Sequence, residues 1–115
     1  MDFKVNIEVT LTEDRIASIL VGAMEGGSNY WIDWITYAPY KSIEDGKLEL
    51  RLPIEIKEDG EITTHTLTRE KLQKGLELLA STEPYQWSLI YDEQDDASTA
   101  DILLQLSLFG EIVYG

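Results

Sequence analysis

The sequence predicts an α+β fold: an antiparallel sheet with helices packed on one face, in the order βαβββαα. Three observations lead there. Apolar and polar residues alternate from Lys47 to Lys57, as in a strand with one wet face. Asp59-Gly60 follows directly and predicts a two-residue hairpin into the next strand. Elsewhere apolar residues recur every three or four positions, the helical period. The length of 115 residues suits a single domain, residues 1–115.

Met1 to Leu11 alternates, with Phe3, Val5, Ile7, Val9 and Leu11 on one face, and predicts a half-buried first strand. Thr12 is placed to N-cap a helix whose first turn holds Glu13 and Asp14, favoured at the positive end of the dipole. Ile16, Ile19, Leu20, Ala23 and Met24 form its apolar stripe, and Gly26-Gly27 supplies the stop. Asn29 to Tyr37 is β-branched and aromatic, hence a second strand, and Ala38 to Gly46 a loop. In the third strand Leu48, Leu50, Leu52, Ile54 and Ile56 face inward; Pro53 cannot donate to a ladder, so it marks an edge or a bulge. The hairpin register puts Ile56 opposite Thr63, Ile54 opposite His65 and Leu52 opposite Leu67, with His65 on the apolar face. Thr68 caps the next helix, with Leu72, Leu76 and Leu79 inward and Gly75 permitting a close approach. Ser81 to Gln94, with Pro84, Tyr85, Trp87 and Tyr91, reads as irregular. Asp95 or Asp96 caps a last helix that runs to Phe109, Gly110 ends it, and Glu111 to Tyr114 forms a short extended tail.

Charge narrows the function. Twenty-two acidic and 9 basic side chains give a formal net charge of −13. Such a chain repels phosphate backbones and anionic membranes, so no direct nucleic-acid or membrane partner is expected. A solvated surface, or a partner with a basic face, suits it better. The absence of cysteine excludes a disulfide framework, a thiolate zinc site and a cysteine nucleophile. The apolar runs are too short to span a bilayer and no basic-then-apolar leader precedes them, so a cytoplasmic protein is expected.

Chemistry-bearing patterns are few. Asp92, Glu93, Asp95, Asp96 and Asp101 crowd together, but the calcium-loop glycine is missing, and helix capping accounts for the run more simply. No nucleophile elbow, Walker loop or dinucleotide glycine pattern occurs; neither an enzyme nor a metal or cofactor is expected. His65 is read as a half-buried, satisfied side chain rather than a catalytic base. Tyr30, Trp31, Trp34, Tyr37 and Tyr40 are more informative. Trp31 and Trp34 fall on opposite faces of a strand, and a one-sided sheet has one core face. One of them is therefore covered by the Tyr85–Tyr91 segment, or lines a pocket or interface. The last helix is apolar nearly all round except for Ser98, Asp101 and Gln105, a stripe that forms either a narrow solvent face or a polar pocket wall. A helix of that kind asks for a partner surface, and a homo-oligomer is expected.

Two segments resemble a known group. Ala23-Met24-Glu25-Gly26-Gly27-Ser28-Asn29-Tyr30-Trp31 is similar to the Ala-Leu-Glu-Gly-Gly-x-Asn-Tyr-Trp signature of small phage and prophage accessory proteins. The ending Leu106-Ser107-Leu108-Phe109-Gly110-Glu111-Ile112-Val113-Tyr114-Gly115 resembles that family's terminal segment, and Leu67 to Leu76 matches a looser version of its second helix. The hairpin from Lys47 to Thr66 carries no family motif. The resemblance implies a phage-encoded accessory protein of the host cytoplasm that antagonises host defence by binding.

Two binding classes fit. One is a sponge for a nucleotide-derived immune signal, its bases stacked on aromatics and its polar edges held by Asn29, Asp101 and Gln105. The other is an acidic inhibitor that occludes a basic groove of a host defence protein. Net charge favours the inhibitor, whereas the Trp/Tyr cluster and the polar stripe favour the sponge, which is the expected function. For the sponge, the glycine-marked bends at Gly26-Gly27 and Gly110 predict that Asn29, Tyr30, Trp31, Asp101, Gln105, Glu111 and Tyr114 converge on one concavity. An enzyme acting on such a signal is the third and least supported class.

Overall fold

A computed structural model describes residue 3 and residues 8–32, 52–58 and 60–115, and within them the fold is α+β. Four helices pack with a two-stranded antiparallel sheet. Helix α1, Glu13–Gly22, starts where Thr12 accepts a hydrogen bond from the Arg15 N–H at 3.1 Å, the expected cap. Ile16, Ile19, Leu20, Ala23 and Met24 are buried, as their spacing demands.

The helix then widens into one π turn, Ala23–Gly27, closed by Ser28 N–H donating to the Ala23 carbonyl at 3.0 Å. Gly26 carries the bend at φ 157°. The expected second strand does not begin at Asn29. Trp31 and Ile32 N–H both donate to the Ser28 carbonyl, at 3.2 and 3.1 Å, so these donors are spent in a local turn instead of a ladder. Ile32 reaches the sheet through a single antiparallel bridge to Ile56. The rest of that strand and the Ala38–Gly46 loop lie outside the described residues, as do Trp34, Tyr37 and Tyr40.

Of the first expected strand, Met1 to Leu11, only residue 3 and residues 8–11 are described. Phe3 is 90% exposed, and Glu8 to Thr12 carry no strand assignment, although Val9 and Leu11 are half-buried. Lys4 to Ile7 lie outside the described residues. With these changes the order βαβββαα becomes αββααα among the described residues.

Strands β1, Leu52–Glu58, and β2, Glu61–Leu67, pair in the register that the Asp59-Gly60 turn dictates: Leu52 with Leu67, Ile54 with His65, Ile56 with Thr63. Gly60 takes a left-handed φ of 82°, which glycine adopts without strain; Asp59 lies outside the described residues. Ile54, Ile56 and Leu67 are buried, and half-buried His65 meets the Phe109 ring edge-on at 5.4 Å.

Helix α2, Arg69–Thr82, is capped by Thr68, which accepts from Lys71 N–H at 3.3 Å. Helix α3, Pro84–Tyr91, occupies the stretch expected to be irregular. Proline at its first turn loses no hydrogen bond and arrives with a helical φ. Its apolar residues form no stripe and only Ile90 is buried, so no period announces it. Helix α4, Ala97–Phe109, begins with a capping box between Asp96 and Thr99 and ends at Gly110, left-handed at φ 74°. Helices α1, α2 and α3, the π turn and β2 all pack against α4, so its wide apolar surface is covered from within the chain. Gly75 makes this possible: a Cβ there would lie 2.0 Å from Ser107 Oγ. Among the described residues no helix is long and apolar enough to cross a membrane.

Candidate functional site

The polar stripe of α4 divides. Ser98 is exposed, whereas Asp101 is 7% and Gln105 0% exposed, so the stripe is no solvent face. The π turn delivers Ser28, Tyr30 and Trp31 onto it. Asp101 Oδ1 accepts from Ser28 Oγ at 2.8 Å and from Trp31 Nε1 at 2.7 Å. Oδ2 accepts from Tyr30 OH at 2.6 Å and from Gln105 Nε2 at 3.2 Å. Four neutral donors thus spread the charge of a buried carboxylate, and such charge-assisted bonds are short and strong. The two ion pairs among the described residues, Arg15–Asp95 and Arg69–Glu13, lie elsewhere.

Gln105 ties in the tail. Its Oε1 accepts from Val113 N–H at 2.8 Å and Tyr114 N–H at 2.7 Å, and its Nε2 donates to the Tyr114 carbonyl at 3.0 Å. The left-handed Gly110 turns the chain back toward this amide. Trp31 is 5% exposed; Tyr114 stacks on it at 5.0 Å and 13°, and Phe109 tilts against it at 5.6 Å. Tyr30 is 58% exposed, and its hydroxyl is turned onto Asp101 and Gln105. Loss of water around that hydroxyl, then the bond to Asp101 and its charge, push the phenol up to about 12, with the Gln105 bond opposing.

Five of the seven expected site residues are therefore together: Tyr30, Trp31, Asp101, Gln105 and Tyr114. Asn29 and Glu111 are exposed, and among the described residues no hydrogen bond joins them to the cluster. Ser28 and Phe109 were not expected. Ser28 lies inside the Gly-Gly-Ser-Asn-Tyr-Trp run, and a hydroxyl beside a Trp donor is the one signal that marked it. Of the two tryptophans, Trp31 belongs to the core and is covered by Tyr114 and Phe109, while Tyr85 and Tyr91 are 70% and 62% exposed; Trp34 lies outside the described residues. The space that an aromatic ligand was expected to enter is filled by the chain's own tail.

The acid run divides in the same way. Arg15 forks onto Asp95 and donates to the Ile90 carbonyl at 3.1 Å. The Thr99 backbone N–H, first among several donors, holds the Asp96 carboxyl below its usual range. Among the described residues no group of three His, Asp or Glu side chains is placed to hold a metal ion.

Among the described residues a different face carries hollows. Residues 9–11 line both of two hollows of about 480 and 560 Å³. The first is walled by α2 and borders Glu8, Glu13 and Glu77; the second borders Asp14 and Glu93. All five carboxylates are exposed. The guanidiniums on this face, Arg15 and Arg69, are engaged with Asp95 and Glu13. No family model matches the chain, and neither a curated protein nor a solved structure matches it.

Proposed function

We propose that the chain is a non-catalytic, phage-type accessory protein of the host cytoplasm that binds and occludes the basic face of a host defence protein. The acidic face around the start of α1 supports this reading. Five exposed carboxylates border its hollows; Glu13 pairs with Arg69 and Arg15 with Asp95, which leaves Glu8, Asp14, Glu77 and Glu93 outside any ion pair among the described residues. Such a field steers a basic partner and raises its association rate in a salt-dependent way. The resemblance of the Gly-Gly-x-Asn-Tyr-Trp run and the terminal segment to phage accessory proteins supports the setting.

Native mass spectrometry of the tagged chain from infected cells is the test. A kilodalton-scale, basic partner that dissociates as salt rises is expected. Replacing Glu8, Asp14 and Glu93 by their amides should slow association by roughly an order of magnitude. A partner bound with salt-independent kinetics refutes the reading.

The exposed Tyr30 ring beside the Trp31–Tyr114 stack favours a second reading, the nucleotide sponge. It requires the tail to leave Gln105. An added mass of a small nucleotide in the same experiment, rather than a protein, selects it. That measurement also reads a twofold dimer through the tail, where Ile112 and Val113 are 44% and 48% exposed.

A further inference from the structure

The 480 Å³ hollow has a shape that the charge alone does not give. One wall is a single stripe of α2: Arg69, Leu72, Gln73, Leu76, Glu77 and Ala80. These stand at i, i+3, i+4, i+7, i+8 and i+11, so the groove runs about 16 Å along the helix, three turns at ~1.5 Å per residue. Ile16, Leu11 and Trp87 complete an apolar floor. The Arg69–Glu13 pair, at 2.6 Å, bridges α2 to α1 at one end.

Resting on the reading above, we propose that this groove docks an amphipathic, basic helix of the partner protein. Its apolar edge would lie on the half-buried Leu11, Leu76 and Trp87, and its lysines or arginines on Glu8 and Glu77. Length and spacing suit it, because a helix presents anchors at the same i, i+3, i+4, i+7 intervals as the facing stripe. Charge suits it too: of the three rim carboxylates Glu13 is spent on Arg69, and Glu8 and Glu77 stand outside any ion pair among the described residues. A phosphate-bearing ligand meets repulsion at the same rim.

The test uses a synthetic helix of about four turns with leucines at i, i+3, i+4 and i+7 and lysines elsewhere. Its twin carries glutamates for the lysines. Binding is followed by amide and indole NMR shifts of the full chain. Shifts should concentrate at Val9 to Leu11, Leu72 to Leu76 and the Trp87 indole, and the glutamate twin should be inert. Ala80 is exposed on α2, so Ala80→Arg should leave the fold intact, checked by its melting curve, and weaken binding roughly tenfold or more. No binding by the lysine helix, shifts centred on the tail, or indifference to Ala80→Arg overturns the proposal. Self-association of the chain that Ala80→Arg abolishes overturns it as well, since the occupant is then a second copy. A basic host protein that binds with salt-sensitive kinetics yet ignores Ala80→Arg sinks the groove alone and leaves the acidic-inhibitor reading standing.

Discussion

Asp101→Asn is the sharpest probe of the buried cluster, because it keeps the shape and removes the charge. All four contacts of the carboxylate come from donors. An asparagine offers one oxygen and one NH2, so two contacts would face a donor. Tyr30 OH can rotate to accept; Trp31 Nε1 cannot, as an indole only donates. The best fit keeps oxygen toward Ser28 and Trp31 and puts the NH2 toward Tyr30 and Gln105. Gln105 cannot flip freely, since its Oε1 is held by Val113 and Tyr114 N–H. Three bonds then fall from charge-assisted to neutral, losing about 1 kcal/mol each, and one is lost outright at about 1 kcal/mol. Relief from burying a charge offsets part of this ~4 kcal/mol, leaving a net cost of about 2 kcal/mol. For a domain of this size that lowers Tm by roughly 8 °C. Asp101→Ala, which leaves the donor-only indole unmet, should cost more, about 4 kcal/mol. Thermal and urea unfolding of both variants measure this. If Asp101→Asn is as stable as the parent chain, the structural account fails, and a buried carboxylate kept at a cost points back to a ligand.

Gly75→Ala should destabilise by about 2 kcal/mol or more, since the new methyl would lie 2.8 Å from Ser107 Cα and force α2 away from α4; urea unfolding checks it. Gly110→Ala meets no neighbour within 4 Å, so only its φ of 74° is strained and about 1 kcal/mol is expected, with Gly110→Asn closer to neutral. Tyr30 has its phenol raised from 10.0 to about 12, so the fold favours the neutral form. Its contribution is fully present below pH 10 and is lost as pH rises to about 12. Spectrophotometric titration should show one late-ionising tyrosine that Tyr30→Phe removes.

Much of the frame was legible because local chemistry decides it. Thr12, Thr68 and Asp96 each cap a helix through a side-chain acceptor, and Gly110 ends one by a left-handed turn. The hairpin register follows from Asp59-Gly60 and the period of two alone. Helix α3 was not legible, because Tyr85, Trp87, Leu89 and Ile90 leave no polar face to set a period. Pro84 is its one signal, and in a sequence proline marks a loop as readily as the first turn of a helix. Asn29 failed as a strand start because the Ser28 carbonyl competes for the N–H groups that a ladder needs, and side-chain patterns do not report that competition.

The site shows the same boundary between type and wiring. Sequence reasoning brought Tyr30, Trp31, Asp101, Gln105 and Tyr114 to one place, because two glycine-marked bends and a polar stripe on an apolar helix leave few other arrangements. What those residues do there depends on which atoms meet. An aromatic pair beside a carboxylate and an amide describes a nucleotide pocket and a self-filled clamp equally well. The difference is whether donors and acceptors are left over. Here Trp31 spends its one N–H on Asp101, and the Gln105 amide reads the chain's own peptide units at Val113 and Tyr114. Gly27 belongs to the same construction: a Cβ there would lie 2.4 Å from the Ala97 carbonyl, so the glycine lets the π turn lie directly on α4. A glycine pair kept for ligand access would face open space on both residues. Gly26 does, Gly27 does not, and that asymmetry favours a turn built to hold the helix and tail over one built to admit a ligand.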